Sequence, residues 1–407
     1  MNGVYQQLEA SRKPENYHLS AHVQKIMFSY RPDGYVTTSK YDFVTVHEAF
    51  ESPTIVLLDN CTLYTITRTE AVFVQNEPSW RGDAFQEDFF ILGQYHNADK
   101  LIIVPLVHFN KLVEDLEIDE ARIIFLHNQA RSGSTLLTAI FKNTDRCICI
   151  SEPRCLTVLC KLIFSDNAWH GATARRLVRN TIRILCKPLK SFGENVLAYV
   201  IKPVTFDAVS MEIIQEAFPE AVQLFIYRDP IDVSVSIRRI GEVLETFKLF
   251  YYLPNIGNIS ELFVWGTGFH YREYKHWKCA INQELEFGYR VSCISMYHYL
   301  RALMHGVKIY GLRYADLVTY EDKVIRDVFT KCRLPGSLAD KAKEAMKKDS
   351  QGNSPISREK LEEAIPNPPK PTPEFLQVAR AMSEEFDVPV PDVWNDKTFR
   401  LPNSLQP

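Results

Sequence analysis

Long hydrophobic runs are missing from the 407-residue sequence. No apolar run approaches the roughly 18 residues that a membrane-spanning helix needs. The first ten residues, MNGVYQQLEA, also lack the basic region and apolar core of a signal peptide. We therefore expect a cytoplasmic protein with no membrane span.

An excess of charge of one sign is also missing, since the formal net charge at pH 7 is only −3. So small a charge creates no global field that would attract nucleic acid or an anionic membrane. Hydrophobic residues make up 46% of the chain and charged residues 24%, which is ordinary for a globular protein. We expect no nucleic-acid partner, and any anion-binding site must be local.

Cysteine spacings typical of metal or redox sites are absent. The nine cysteines, an odd number scattered from Cys61 to Cys332, form no Cys-x-x-Cys pair. This pattern favours reduced core thiols over a disulfide framework or a zinc site. We expect no bound metal.

The N-terminal unit, residues 1–118, is predicted to be strand-rich. Short β-branched and aromatic runs at 54–58, 63–66, 71–75 and 101–106 are typical of a small antiparallel sheet. The unit carries no recognisable chemistry. It either shapes a substrate pocket or merely covers the next sheet, and the sequence favours the second role.

The central part of the chain, residues 119–365, alternates apolar strands with helices. Such alternation predicts an α/β fold, a P-loop-type parallel sheet flanked by helices. The predicted strands lie at 123–126, 147–150, 197–201, 223–227 and 308–313. Residues 366–407 follow as a proline-rich linker, a helix and a tail, because so many prolines exclude a helix or a central strand.

A short polar turn separates the strand at 123–126 from a helix with apolar residues at helical spacing. A helix that begins at such a turn directs free N–H groups and its positive dipole end at the loop, which favours a phosphate or sulfate. Ser134 stands where nucleoside triphosphatases have a lysine, so triphosphate hydrolysis is disfavoured. The guanidinium of Arg131 suits a bidentate grip on phosphate or sulfate. The turn residues are Arg131, Ser132, Gly133, Ser134 and Thr135.

A second strand, turn and helix surround Arg228. Pro230 and Asp232 suit a helix start, and Ser236 lies eight residues past Arg228. Because the carboxyl ends of parallel strands share one crevice, Arg131 and Arg228 can face a single ligand.

These motifs resemble those of the sulfotransferases that use 3′-phosphoadenosine 5′-phosphosulfate (PAPS). The resemblance implies that the turn from Arg131 to Thr135 binds the 5′-phosphosulfate, and that Arg228 and Ser236 hold the 3′-phosphate. A segment at 312–318 resembles the family's Arg-Tyr-Glu-Asp-Leu sequence and implies that Tyr314 lies near the adenine. PAPS would be the co-substrate, with no metal.

Sulfuryl transfer to a hydroxyl needs a base for the acceptor proton and cations for the moving sulfonate. Small-molecule sulfotransferases use a histidine two residues after a strand lysine, but here the residue two positions after Lys202 is Val204. Glu152 lies 21 residues after Arg131, a spacing that resembles the base glutamate of protein-tyrosine sulfotransferases. We expect Glu152 to be the base, Lys202 and Arg131 to stabilise the sulfonate, and Arg154 to lie at the substrate.

A polar loop at residues 347–354, the late loop, occupies the place where the family closes a basic segment over the 3′-phosphate. Its sequence departs from the family's Arg-Lys-Gly form, so Lys347, Ser350 and Ser354 either contact nucleotide or form a solvated turn.

Two other functions compete with the sulfotransferase reading. One is a P-loop small-molecule kinase, and the other is a non-catalytic nucleotide-binding protein. The acceptor stays open among alcohols, sterols, phenols and sugars or glycans, and the oligomeric state is undetermined.

Overall fold

The computed structural model describes residues 2–30, 37–77, 89–165, 168–243, 285–352 and 356–407. Within these ranges two five-stranded sheets lie in sequence order, one antiparallel and one parallel. The predicted α/β fold, with a strand-rich N-terminal extension and a helix-flanked parallel sheet, is confirmed.

The N-terminal sheet has the strand order β2-β1-β5-β4-β3, with every neighbouring pair antiparallel. The run at 54–58, predicted as a strand, is instead a 3₁₀ helix, Pro53–Leu57. Pro53 suits the first helical position and the Ser52 hydroxyl accepts from the Thr54 N–H at 3.4 Å, so local capping prevails over β-branched composition. The strands are β1 (Ala21–Ser29), β2 (Phe43–Glu51), β3 (Cys61–Ile66), β4 (Glu70–Asn76) and β5 (Ala98–Pro105).

The second sheet is parallel throughout, in the order β10-β9-β6-β8-β7. Its strands are almost entirely buried, as expected when helices cover both faces. All five predicted strands are present. They are β6 (Ile123–Asn128), β7 (Cys147–Ser151), β8 (Ala198–Lys202), β9 (Val222–Tyr227) and β10 (Ile309–Arg313).

Fourteen α-helices lie in the described part of the chain. The first eight are α1 (Asn2–Ser11), α2 (Phe90–His96), α3 (Leu106–Glu114), α4 (Ser134–Lys142), α5 (Arg154–Cys160), α6 (Gly171–Leu185), α7 (Met211–Ala217) and α8 (Pro230–Val243). The others are α9 (Glu286–Met304), α10 (Tyr314–Thr319), α11 (Glu321–Lys331), α12 (Ala339–Ala342), α13 (Arg358–Ala364) and α14 (Pro373–Glu385). None of them is long and apolar enough to cross a membrane.

Three of the five apolar clusters in the described part of the chain join helices to the sheets. Leu63 and Phe73 of the antiparallel sheet share one core with Phe125 of β6. A second core packs α4 and α11 against the parallel sheet. In the third, Phe375 of α14 and Trp394 pack with residues of α9. The unit boundaries at residues 118 and 365 stay predictions.

Candidate functional site

The candidate site lies where the five parallel strands end. Because β6 is central and the chain leaves it toward both sides of the sheet, a crevice forms at its carboxyl end, the usual ligand position in open α/β sheets. Each strand delivers a predicted residue there, at its last position or within three residues of it. These are Arg131 after β6, Glu152 after β7, Lys202 at the end of β8, Arg228 after β9 and Tyr314 after β10.

A cavity of about 660 Å³ occupies this crevice. Arg131 and Arg228 both line it, so the two arginine turns face one space, as the motif spacing predicts. The other predicted residues in its wall are Gly133, Ser134, Thr135, Glu152, Arg154, Ser236, Tyr314, Lys347 and Ser350. Ser354 lies outside the described residues.

The first turn, residues 131–135 between β6 and α4, is shaped by two residues with left-handed backbone conformations. Arg131 has φ 56° and Gly133 has φ 90°. Gly133 precedes α4, which begins at Ser134 with no side-chain cap on its first N–H groups. Ser132 is fully buried. Its hydroxyl lies within hydrogen-bond distance of two backbone acceptors, Gln129 O at 2.6 Å and Ile226 O at 3.0 Å. The side chain of Ser132 therefore stabilises the turn, and its N–H also donates within the turn, to Gln129 O at 3.3 Å.

The Arg131 guanidinium connects three predicted parts of the site. Its Nε donates to Ser236 Oγ at 3.0 Å, and Nη1 donates to Gln351 Oε1 at 2.6 Å. The first turn, helix α8 and the late loop therefore meet at this side chain. Gln351 was missed from the sequence, because nothing in its local pattern shows that the loop returns to the first turn.

Arg228 is held from three sides. Its backbone N–H donates to Gln129 Oε1 at 2.6 Å, and its guanidinium lies 2.9 Å from Asp232. The guanidinium carbon also lies 5.2 Å from the ring centroid of Tyr314, a cation–π arrangement. A Cβ added at Gly133 would overlap the other side of that ring. Tyr314 therefore lies between the first and second turns.

The candidate base is surrounded by cations. Lys202 Nζ lies 3.2 Å from Glu152 Oε1 and 3.3 Å from Thr135 Oγ1, and its side chain is almost fully buried. Arg154 Nη2 lies 3.7 Å from the other Glu152 oxygen. Lys202 is therefore placed beneath the first turn, beside the carboxylate.

The ionisation of Glu152 follows from these neighbours. Burial acts to raise the pKa, but the charges of Lys202 and Arg154 outweigh it and hold the pKa of Glu152 below its ordinary value of 4.5. The side chain is thus a carboxylate at neutral pH. Its backbone has φ 55°, an uncommon conformation for a non-glycine residue.

Buried polar residues behind the strand ends fix the spacing of the turns. Asn128 at the end of β6 donates to Pro203 O at 3.0 Å and accepts from Thr205 Oγ1 at 2.9 Å. Asp207, in the turn after β8, accepts from Thr157 at 3.0 Å, and burial raises its pKa to about 7. These residues were not predicted from the sequence, although Asn128, a polar residue ending an apolar strand, was the available signal.

The late loop borders the cavity at its outer side. Asp349 organises the loop, since its carboxylate accepts from the backbone N–H groups of Gln351 and Arg358, each at 3.0 Å. Lys347 lies 2.6 Å from Glu344 and is largely exposed. The loop therefore reaches the site, and contact of Lys347 or Ser350 with nucleotide remains a prediction.

The cavity wall has a positive charge balance within a chain of net negative charge. Six basic and three acidic side chains of the described residues line the cavity. The basic ones are Arg131, Arg154, Arg228, Lys347, Lys348 and Arg358, and the acidic ones are Glu152, Glu321 and Asp349. This positive balance is local, as expected of any anion-binding site in a chain that has no global positive field.

Another part of the wall is apolar and includes a residue of the N-terminal unit. Phe89 lines the cavity, and Lys202 Nζ lies 5.5 Å from its ring centroid. The merely covering role favoured from the sequence is therefore incomplete, because the unit also shapes the pocket. Other apolar side chains in the described part of the wall include Val204 and Phe206 after β8, Ile237 and Ile240 of α8, and Phe287 and Val291 of α9.

Groups of three or more His, Cys, Asp or Glu side chains that could hold a metal ion do not occur among the described residues. The carboxylate nearest the first turn, Glu152, faces Lys202 and Arg154.

Comparison with known proteins gives matches only among solved structures, since no family model and no curated protein sequence matches the chain. The sulfotransferase domain of the curacin biosynthetic pathway matches with a TM-score of 0.39 and 14% identity, over 66% of this chain and 98% of that domain. A sulfotransferase from Mycobacterium avium has a TM-score of 0.37 and 10% identity, over 77% and 88%. Retinol dehydratase, solved with retinol and the desulfated nucleotide PAP, has a TM-score of 0.33 and 13% identity, over 74% and 89%. Two of these three structures are named sulfotransferases, as is the family whose motifs the sequence resembles, and the third is named retinol dehydratase.

Proposed function

We propose that the protein is a sulfotransferase that moves the sulfuryl group of PAPS to a hydroxyl of an acceptor. One observation supports this most directly: the strand ends bring two arginine turns, Tyr314 and a carboxylate to the wall of one cavity, with a buried lysine paired to that carboxylate. A nucleotide with anionic groups at both ends needs two cationic grips, and an alcohol acceptor needs a base between them.

In this proposal the first turn and α4 bind the 5′-phosphosulfate. The N–H groups at the start of α4, from Gly133 to Thr135, donate to it together with Arg131, and Ser132 supports them from within the turn. Arg228 and Ser236 hold the 3′-phosphate. Tyr314 supports the adenine, and Lys347 and Ser350 of the late loop approach from outside.

Glu152 takes the acceptor proton in the proposed reaction. The acceptor oxygen forms a bond to sulfur, the bond from sulfur to the bridging oxygen of the 5′-phosphate breaks, and the proton passes to the carboxylate. Lys202 and Arg131 stabilise the charge of the moving sulfonate and the leaving phosphate. Arg154 lies on the acceptor side of Glu152. When the anionic nucleotide pairs with Lys202 and Arg131, these cations stabilise the charged form of Glu152 less. The pKa of Glu152 then rises, and the carboxylate becomes a stronger base.

The acceptor proposed for this site is an alcohol, sterol or phenol with an apolar body rather than a sugar. Phe89, Val204 and Phe206 lie near the Lys202–Glu152 pair, where the acceptor hydroxyl must be placed. Such side chains gain free energy by removing apolar surface from water and offer a sugar no hydrogen-bond partners.

Calorimetric titration with PAP tests the nucleotide site. Arg228→Ala removes a charge-assisted contact and should weaken PAP binding by about 10- to 160-fold, from roughly 1.5 to 3 kcal/mol. Arg176→Ala is the matched control, because Arg176 is an exposed arginine that pairs with Glu114 at a distance from the cavity strands. Unchanged PAP affinity in the Arg228 variant would contradict the assigned role.

Thermal-shift measurements with PAP and with ATP-magnesium separate the competing functions. Stabilisation by PAP alone supports the proposal, and stabilisation by ATP-magnesium alone favours a small-molecule kinase. PAP binding without turnover of PAPS, across apolar alcohols, phenols and sugars, would instead favour a non-catalytic nucleotide-binding protein.

A further inference from the structure

The tail segment, residues 397–405, continues the parallel sheet beyond β10. The Gly311 N–H donates to Asn403 O at 3.0 Å, and the Leu405 N–H donates to Gly311 O at 2.9 Å. Ser404 forms a parallel bridge with Gly311. A Cβ at Gly311 would overlap Ser404 and the Tyr299 hydroxyl, so this close approach requires glycine. The tail segment thus lies at the strand that ends beside Tyr314.

Buried side chains bind the same segment to the ends of β9 and β10. The Tyr227 hydroxyl accepts from the Leu401 N–H at 3.0 Å and lies 2.8 Å from Ser404 Oγ. Arg313, the last residue of β10, donates to Lys397 O at 2.5 Å and Phe399 O at 3.1 Å. These contacts connect the tail segment to strands that precede Arg228 and Tyr314.

An ion pair then joins the tail segment to α10. Arg400 Nη2 donates to Asp316 Oδ1, and the two side chains are only 11% and 5% exposed. Asp316 is the third residue of α10, and Tyr314 is the first. In a pair so shielded from water, removing one partner leaves a costly buried charge.

The position of α10 matters because Tyr314 fills a narrow space. Its ring lies so close to Gly133 that a Cβ there would overlap it, and the ring centroid is 5.2 Å from the guanidinium carbon of Arg228. Helix α10 has only six residues, and a helix this short does not hold its position without tertiary contacts. Displacement of α10 would therefore shift Tyr314 between the two arginine turns.

We propose that the tail segment positions Tyr314 for the nucleotide through the Arg400–Asp316 pair, so that docking of the tail segment and binding of the nucleotide stabilise each other. The proposal rests on the nucleotide site proposed above. Arg400 and Asp316 line no part of the cavity, and they act through α10 as positioning residues. Thermodynamic linkage requires the effect to be reciprocal.

Hydrogen exchange on the unmodified protein, with and without saturating PAP, tests this reciprocity. The amides of Gly311, Leu401 and Leu405 donate within the docked arrangement and report on it directly. We expect PAP to slow their exchange along with that of the first turn. Protection of the first turn without any change at these three amides would overturn the inference and leave the proposed function intact. No binding or protection at all would instead remove the proposed function.

Substitution of Arg400 adds a kinetic test. Arg400→Gln should weaken PAP binding and raise the KM for PAPS by at least about fivefold, with kcat at saturating PAPS much less affected. Arg400→Lys should restore part of the affinity, because it keeps the charge. Arg380→Gln is the control, since Arg380 makes an exposed ion pair with Asp392 elsewhere in the C-terminal region. A lowered melting temperature with unchanged PAP affinity in Arg400→Gln would assign the pair a purely structural role.

Discussion

Glu152 combines a strained backbone with a crowded electrostatic setting. The residue has φ 55° immediately after β7, and its backbone N–H donates to Lys202 O at 2.7 Å. The turn thereby aims the carboxylate at the Lys202 ammonium. A surface carboxylate at a helix start would need neither a buried lysine nor this conformation, so the geometry favours the proposed role as base.

Replacement of Glu152 by glutamine separates catalysis from binding. Glu152→Gln keeps the shape of the side chain but cannot accept a proton, so PAP affinity should persist while kcat falls by roughly 100- to 10,000-fold. Glu321→Gln, which alters another carboxylate in the cavity wall, is the control. A near-normal rate in Glu152→Gln would exclude the residue as base.

The pH dependence of kcat/KM gives an independent test of Glu152. Because the pKa of Glu152 is held below 4.5 in the free protein, the acid limb due to this group should lie below pH 4.5. The active carboxylate is present above that pKa and is lost as pH falls through it. An acid limb centred near pH 6 would assign the base to another group.

The residues that could be predicted were those whose chemistry is visible locally. Arg131 and Arg228 follow apolar strands and precede helices, so their placement followed from pattern alone. Gln351 and Phe89 reach the cavity from distant parts of the chain, and no local pattern indicates such contacts.

The strand, turn and helix at β6 and α4 depend on one glycine. Gly133 has φ 90°, a conformation that costs an L-residue roughly 1–2 kcal/mol, and a Cβ there would also overlap the Tyr314 ring. Sequence predicted the turn, but only the structure shows that Tyr314 packs against it.

Gly133→Ala should therefore both destabilise the fold and abolish tight PAP binding. Gly306→Ala is a matched control, because Gly306 has φ 80° but open space around its Cβ position. Both variants carry the backbone strain of an alanine at positive φ, so the melting temperature of both should fall. Only Gly133→Ala should lose PAP affinity by calorimetry, and equal affinities would show that the ring contact is unimportant.

Strands β1 and β2 were not predicted from the sequence, and the reason is physical. Two register shifts interrupt their pairing, between Val23 and Gln24 and between Ile26 and Phe28. Each bulge changes which face successive side chains occupy, so the alternation of apolar and polar residues that indicates a strand is broken. The parallel strands, buried on both faces, appear as continuous apolar runs and were found.

At the scale of the whole molecule, a buried lysine connects the segment after α6 with the N-terminal unit. Lys187, just after α6, donates to Val56 O at 2.7 Å, to Leu58 O at 2.6 Å and to Cys61 O. These carbonyls belong to the N-terminal unit. Burial lowers the pKa of Lys187 to about 8.

Lys187→Met should lower the free energy of unfolding by about 3 kcal/mol, because three carbonyls lose a charged donor. Lys190→Met, which changes an exposed lysine nearby, is the control. Between pH 8 and the ordinary lysine value of 10.5, the folded protein binds fewer protons than the unfolded chain, so its stability relative to Lys187→Met should rise with pH. Denaturant titration at pH 7 and pH 10 measures both effects, and a variant as stable as the control would contradict this linking role.

The sequence by itself determined the positions of the parallel strands, the two arginine turns and the type of ligand they suit, because periodicity and turn chemistry act over a few residues. Tertiary structure decided the strand order, which brings five strand ends to one cavity. It also decided the entry of Phe89 and the docking of the tail segment beside β10. Such contacts join residues far apart in the chain, and their free energy comes from burial and pairing that exist only after the sheets have packed.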